Sequence, residues 1–263
     1  MTHRPWNESA DVSAWIDCES YESALASLSG VYGASGKDIK DYLSNFDLDR
    51  EYEKYKEDMD ASDLLQMKFD QKFGGSKHPV IGISWFHLTR TLAGTTFSEG
   101  ILPLGSALPK VWNILVSIPK DERKRRRLQE LRTNGVPNYQ YQLKVPHILH
   151  HGPYAMLGRE FAFNASEIGN HDYLKLPEII EDVCWGYQEK FKESIQEEIM
   201  AALQPCIVKF EDRSGTRSDV IRPVLQYCLC KARNEELHIH ANTCFDGGGE
   251  AVPFEAIQRI DYV

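Results

Sequence analysis

The sequence lacks the long apolar runs that cross or enter membranes. No segment approaches about 18 consecutive apolar residues, so we expect no transmembrane helix. Residues 1–15 contain no apolar signal-peptide core, and export by that route is therefore not expected. The six cysteines stand in no secretory context and are typical of reduced core thiols. These absences predict a cytoplasmic protein.

The common signatures of nucleotide and metal sites are missing as well. The chain has no GxxxxGK[ST] and no GxGxxG after a strand, and it lacks HExxH, GxSxG and CxxC. A nucleotide would therefore be held without the usual glycine-rich loop. Positive charge is also in short supply, because the net charge is −9. Contact with nucleic acid would need a local basic patch rather than a basic body.

What remains has the composition of a globular protein. Hydrophobic residues make up 42% and charged residues 26% of the 263 residues. Residues 1–75 are acidic and show helical apolar spacing that ends at Gly74-Gly75, whereas strand-like and helical runs mix irregularly from Val80 onward. We therefore predict an α+β fold with a helical N-terminal region over residues 1–75 and a main domain over residues 76–263.

The apolar patterns predict the following elements in the main domain. Strands are predicted at residues 80–90, 111–118, 154–163, 206–210, 236–245 and 256–263. Helices are predicted at 120–132, from Pro177 to about Gln204, and from Ser218 to about Arg233. Residues 136–153 hold three prolines and are predicted to form a long loop.

Three polar residues stand on the strand predicted from Val80. Alternate side chains of a strand share a face, so His87 and Thr89 point one way and Arg90 the other. A histidine and a threonine together offer donors and acceptors to a ribose diol, and an arginine suits a pyrophosphate. The alternative is that His87 is a satisfied core histidine and Arg90 a solvated residue at the strand edge.

A carboxylate follows three glycines near the other end of the main domain. Glu250 comes directly after Gly247, Gly248 and Gly249. Glycines allow unusual φ angles and a close approach to a ligand, and a carboxylate beside them is suited to stabilise positive charge on a sugar. The alternative is a polar hairpin turn whose tip Glu250 merely solvates.

Taken together, these short motifs resemble the ADP-ribosyltransferase superfamily. The matching features are HxTR on an early strand, then FxxGILPLG, and a late GGGE before VPFEAIQRI, over about residues 80–263. The pattern looks most like the bacterial toxin branches that keep a histidine on the first strand and a glutamate near the end. The resemblance implies an ADP-ribosyltransferase-like split antiparallel sheet that binds NAD, as co-substrate, in its cleft.

The resemblance also implies roles for these residues. His87 would hold the adenosine ribose of NAD, and Thr89 and Arg90 would assist at the ribose and the phosphates. Glu250 would be catalytic, binding the nicotinamide ribose and stabilising its cationic transition state. The implied biology is that of a bacterial toxin in a toxin–antitoxin or phage-defence (antiviral) system, with an antitoxin protein as a possible partner.

The sequence leaves two assignments open: which tyrosine stacks on nicotinamide, and which group accepts the ADP-ribose. Tyr154 is our candidate for the aromatic residue that stacks on nicotinamide, and Tyr139 and Tyr141 also lie in range. Toxins that modify arginine carry Gln or Glu two residues before the catalytic glutamate, where this chain has Gly248. An arginine acceptor is therefore not favoured.

A basic run suggests nucleic acid, RNA or DNA, as the acceptor. The densest part of this basic run is predicted to contact the nucleic acid. It comprises Lys124, Arg125, Arg126 and Arg127. The alternative is a solvated helix face. Two other functions remain open: an NAD-dependent RNA 2′-phosphotransferase of the same superfamily, and a catalytically inactive interaction module that acts through its acidic N-terminal helices.

Histidine and cysteine clusters do not form a convincing metal site. His147, His150 and His151 cluster, but no ligand carboxylate or CxxC adjoins them, so we predict no metal. Cys228 and Cys230 fall within a predicted helix, where a spacing of two puts them on different faces, and we expect buried thiols.

Overall fold

A computed structural model of the chain describes residues 13–56, 58–146, 151–213 and 218–263. This part of the chain contains ten α-helices and six strands, and the predicted α+β class is confirmed. None of its helices has both the length and the apolar character needed to span a bilayer.

The chain divides into two compact units that alternate along the sequence. The first comprises Met1–Ser84 and Asp212–Thr243, and the second comprises Trp85–Glu211 and Cys244–Val263. Every residue of the predicted NAD site therefore belongs to the second unit.

The first unit is mainly helical. Its elements are β1 (Ala14–Ile16), α1 (Tyr21–Tyr32), α2 (Gly36–Asn45), α3 (Leu48–Tyr55), α4 (Ala61–Phe73), the start of β2 (Val80–Thr91), and α10 (Ile221–Arg233). Gly74 ends α4 with a φ of 84°, a left-handed conformation that favours glycine.

The core of the first unit forms around α10. This helix packs on α1, α2 and α4, and both of its cysteines, Cys228 and Cys230, are buried. Burial raises the pKa of the Cys230 thiol to about 11, so it stays protonated and acts as a small apolar side chain. The prediction of buried thiols is confirmed for Cys228 and Cys230, whereas the expectation that all six cysteines are core thiols is wrong for Cys244, which is exposed.

The second unit combines a sheet with a helical layer. After β2 come α5 (Leu104–Ser117), α6 (Glu122–Asn134), α7 (Tyr139–Lys144), β3 (Tyr154–Met156), α8 (Glu178–Phe191), α9 (Gln196–Ala202), β4 (Gln204–Asp212), β5 (Cys244–Asp246) and β6 (Ile257–Tyr262). The strand order is β5-β3-β2-β4-β6, with β1 pairing in parallel with β2. The pairs β5–β3, β3–β2 and β4–β6 are antiparallel.

The strand predicted at residues 111–118 is wrong, because residues 111–117 lie in α5 and Ile118 caps it. Trp112 and Leu115, three positions apart, are both buried in a cluster with residues of α6 and α8. Side chains three apart share a face of a helix, and this tertiary packing outweighs the strand preference of the valines and isoleucines.

Four further expectations about local structure need correction. The predicted loop at residues 136–153 contains α7. The strand predicted at residues 154–163 ends after Met156 and is followed by a 3-10 turn at Arg159–Phe163. The strand predicted at residues 236–245 forms only in β5, after a 3-10 turn at Ile239–Ala241. The helix predicted from Pro177 is broken into α8 and α9 by Lys192, whose φ is +55°.

Candidate functional site

The site begins where β2 meets β3. The register pairs Phe86 with Met156, and one residue further along β2 the ring of His87 contacts β3 instead. His87 Nδ1 lies 2.7 Å from the carbonyl oxygen of Tyr154. A carbonyl can only accept, so Nδ1 carries the proton and donates it, and Nε2 of the neutral ring is an acceptor.

Partial burial favours the neutral form of the His87 ring. Desolvation lowers the pKa of this imidazole, and the hydrogen bond to Tyr154 opposes that shift only in part. At pH 7 the ring therefore presents an acceptor nitrogen, the group that a sugar hydroxyl donates to. Thr89, two residues along the same strand, is partly buried and follows His87 in the alternation of the strand.

Tyr154 adjoins both His87 and the glycine-rich segment. Its Cα pairs with that of Asp246 on β5, and its ring lies against Gly152, where an added Cβ would come within 2.9 Å of the ring. The residue is 39% exposed, enough to be reached by a ligand. Burial first, and the charges of Asp246 and Glu178 next, raise the pKa of the phenol, so it stays neutral.

The other two candidate tyrosines lie on α7. Tyr141 is buried, and its hydroxyl accepts a hydrogen bond from Trp112 Nε1 at 3.0 Å, so it is a core residue. Tyr139 is 70% exposed at the start of the helix. Of the three, Tyr154 is the one whose main chain binds His87.

The glycines before Glu250 form a tight turn. The amide of Glu250 donates to the carbonyl of Gly247 at 2.9 Å, and the two residues between them have φ angles of 60° at Gly248 and 89° at Gly249. Positive φ at both central positions is the pattern of a type I′ turn, which glycine adopts without strain. Gly247 has no room for a side chain, because a Cβ would lie 2.6 Å from Pro153.

Main-chain hydrogen bonds tie this turn to the segment before β3. The amide of Gly247 donates to the carbonyl of Pro153 at 3.0 Å, and that of Gly249 donates to Gly152 at 2.8 Å. The segment that carries Glu250 is therefore a direct neighbour of the segment that carries Tyr154.

Glu250 is also anchored on its other side. Val252 exchanges two hydrogen bonds with Ile101, at 2.9 and 3.0 Å. The close approach requires Gly100, where an added Cβ would be 2.1 Å from the carbonyl oxygen of Val252. The Glu250 side chain itself is exposed, and no residue in the described part of the chain binds its carboxylate. A fixed main chain thus presents an available carboxylate.

Arg90 has a different environment from the one predicted. Its guanidinium donates to the main-chain carbonyls of four residues: Leu174 (2.7 Å), Lys175 (3.3 Å), Met200 (2.8 Å) and Leu203 (2.6 Å). These carbonyls belong to the turn before α8 and to the end of α9. The side chain is committed to holding those segments, so we leave it out of the candidate site.

Three of the four cations predicted to contact nucleic acid are paired with carboxylates: Lys124 with Glu198 (2.8 Å), Arg127 with Glu193 (2.6 Å), and Arg125 with Glu122 (3.1 Å). Arg126 is exposed and has no carboxylate partner within the residues that the structure describes. The predicted helix is present as α6, and its positive charge is largely neutralised by α9, by the turn between α8 and α9, and by its own first turn.

The histidine cluster is only partly visible, because His147 and His150 lie outside the described residues. His151 packs its ring on Gly105, where an added Cβ would be 2.8 Å from the ring, and its carbonyl accepts from Leu104 at 2.7 Å. The described ranges contain no group of three or more His, Cys, Asp or Glu residues arranged to hold a metal ion.

Sequence reasoning missed Asp246. This carboxylate begins the glycine turn, and its Oδ1 accepts a hydrogen bond from the Gly248 amide at 2.8 Å. An Asp directly before glycines is a signal for such a side-chain-stabilised turn. No known family model, curated protein or solved structure matches the chain.

Proposed function

We propose that this chain is an NAD-dependent ADP-ribosyltransferase, which cleaves the nicotinamide–ribose bond and transfers ADP-ribose to a macromolecule. The observation that carries the proposal is the turn before Glu250. Three glycines and five main-chain hydrogen bonds hold an exposed carboxylate that has no partner among the residues the structure describes, next to the strand that binds His87. A carboxylate on a fixed main chain suits electrostatic catalysis, because its charge is already in place where positive charge develops.

The proposal includes the finer fold, an ADP-ribosyltransferase-like split antiparallel sheet. Its support is the junction of β2 and β3, which share the pair Phe86 and Met156 and then contact each other through the His87 side chain. In this proposal the adenosine ribose of NAD lies at that junction, on His87, and nicotinamide lies on Tyr154.

The residues divide the chemistry as follows. Neutral His87 accepts a hydrogen bond through Nε2 from a hydroxyl of the adenosine ribose, and the ring of Tyr154 stacks on nicotinamide. As the C1′–N bond between nicotinamide and its ribose breaks, the electron pair moves to the pyridine nitrogen and positive charge develops on the nicotinamide ribose. The Glu250 carboxylate stabilises that charge. A nucleophile on the acceptor then bonds to C1′ and loses its proton.

We propose nucleic acid rather than protein as the acceptor. The ion pairs of α6 make this helix a weaker candidate for the surface that binds the nucleic acid. Lys124 already pairs with Glu198 of α9, and Arg127 with Glu193 in the turn between α8 and α9. Labelled NAD offered separately with RNA, DNA and cell-extract protein identifies the acceptor class. Label on protein alone would refute the nucleic-acid proposal and leave the NAD chemistry standing.

The test of the NAD chemistry is nicotinamide release by Glu250→Gln. Losing one well-placed electrostatic stabiliser lowers the rate about 10²–10³-fold. The matched control is Glu255→Gln, because Glu255 is an exposed carboxylate in the neighbouring 3-10 turn Phe254–Ala256. Wild-type rates in Glu250→Gln, or equal losses in both variants, would refute the role of Glu250. A wild type that releases no nicotinamide would refute the proposed function.

A further inference from the structure

Asp246 occupies the junction between Tyr154 and the glycine turn. Its main chain is the Cα partner of Tyr154 in the β3–β5 ladder, and its carboxylate accepts the Gly248 amide at 2.8 Å. One residue thus connects the strand of the stacking aromatic to the turn that carries Glu250.

The amide groups of the turn show why this carboxylate matters. The amides of Gly247, Gly249 and Glu250 all donate to main-chain carbonyls, which no substitution removes. The Gly248 amide alone among these four donates to a side chain. Among the residues that the structure describes, the Asp246 carboxylate is therefore the one link to these four amides that depends on a side chain.

The Gly248 bond also acts at the residue where the chain reverses. Gly248 has a φ of 60°, and glycine at such an angle is free to leave it for many other conformations. The hydrogen bond from the Gly248 amide to the Asp246 carboxylate restricts the conformations that Gly248 can adopt. The backbone conformation of Gly248 therefore determines where the next two residues, Gly249 and Glu250, lie.

We propose that Asp246 is a positioning residue, which fixes the turn at Gly248 so that the Glu250 carboxylate is held at the reacting ribose. This inference rests on the proposed NAD chemistry for its catalytic part. Its structural part, the fixing of the turn, stands without NAD. An asparagine keeps the accepting oxygen and loses the charge, whereas an alanine loses both, so the two variants separate the hydrogen bond from the charge.

The experiment compares Asp246→Ala and Asp246→Asn with wild type by amide exchange and by nicotinamide release. In Asp246→Ala we expect the Gly248 amide to exchange about tenfold faster. We expect kcat to fall about 10- to 100-fold, because misplacing a reacting group by an ångström costs that much. KM for NAD should change by less than about threefold, since the lost contact acts in the transition state. Asp246→Asn should resemble wild type in all three measurements.

The outcomes separate the two proposals. Wild-type exchange and kcat in Asp246→Ala would overturn the positioning role. A loss in Asp246→Asn as large as that in Asp246→Ala would show that the charge acts and not the hydrogen bond, which also overturns it. If wild type releases no nicotinamide, the proposed function and the catalytic part fail together, and the exchange rates still decide whether Asp246 fixes the turn.

Discussion

Arg90→Met removes a guanidinium that donates to four main-chain carbonyls in the second unit. The acceptors at Leu174, Met200 and Leu203 are partly buried and lie 2.6–2.8 Å away, and the exposed fourth is weaker at 3.3 Å. A hydrogen bond to a charged group contributes about 1.5–3 kcal/mol, and bonds in one network are not additive. We therefore expect the free energy of unfolding to fall by about 3–5 kcal/mol, as for other buried networks broken at one member.

Urea denaturation followed by circular dichroism measures this loss, and NAD titration of the folded variant measures binding. The matched control is Arg126→Met, which removes an exposed cation without a carboxylate partner in the described residues and should change stability by less than about 0.5 kcal/mol. Arg90→Lys should fall between the two, because an ammonium keeps the charge but cannot reach four acceptors. Unchanged stability in Arg90→Met together with weakened NAD binding would refute this reasoning and return Arg90 to the pyrophosphate.

Two more predictions test the candidate site. NAD affinity of the wild type should fall as the pH drops below about 6.5, because protonation of His87 removes its Nε2 acceptor, and calorimetric titration from pH 7.5 to 5 checks this. The lowered pKa also means that the contribution of His87 to stability is complete above about 6.5 and is lost as the pH falls through the folded pKa. His87→Gln should bind weakly at every pH, and an equal decline in both proteins would contradict the assignment. Gly248→Ala and Gly169→Ala place a Cβ in open space at similar φ angles, 60° and 68°, so each should cost about 1 kcal/mol of stability. Only Gly248→Ala should slow nicotinamide release, and a similar loss in Gly169→Ala would show a general effect of strain.

The parts of the candidate site that depend on neighbouring residues in the sequence can be predicted from the sequence. The three glycines before Glu250 predict a turn with positive φ angles, and strand alternation separates His87 from Arg90. The partners of Arg90 were not accessible, because the carbonyls that it binds come 84 to 113 residues later in the chain. Alternation gives the face of a side chain and leaves open what covers that face.

The same limit explains the basic helix and the misassigned strand. The density of cations on α6 is visible in the sequence, but Glu193 and Glu198, which neutralise Arg127 and Lys124, follow 66 and 74 residues later. Residues 111–118 form a short apolar run, which fits a buried strand and a buried helix alike. Only packing against α6 and α8 selects the helix.

The interleaved order of the two units has a consequence for synthesis. The second unit takes β2 and β3 from Trp85–Glu211 but β5, β6 and Glu250 from Cys244–Val263, with Asp212–Thr243 of the first unit between them. A ribosome adds about 5–20 residues per second and delivers them in chain order. A nascent chain therefore already carries His87 and Tyr154 while it still lacks the turn and the carboxylate. On the proposed NAD chemistry, the centre is complete only once Glu250 has been added, so a nascent chain that stops between Tyr154 and Glu250 should not release nicotinamide.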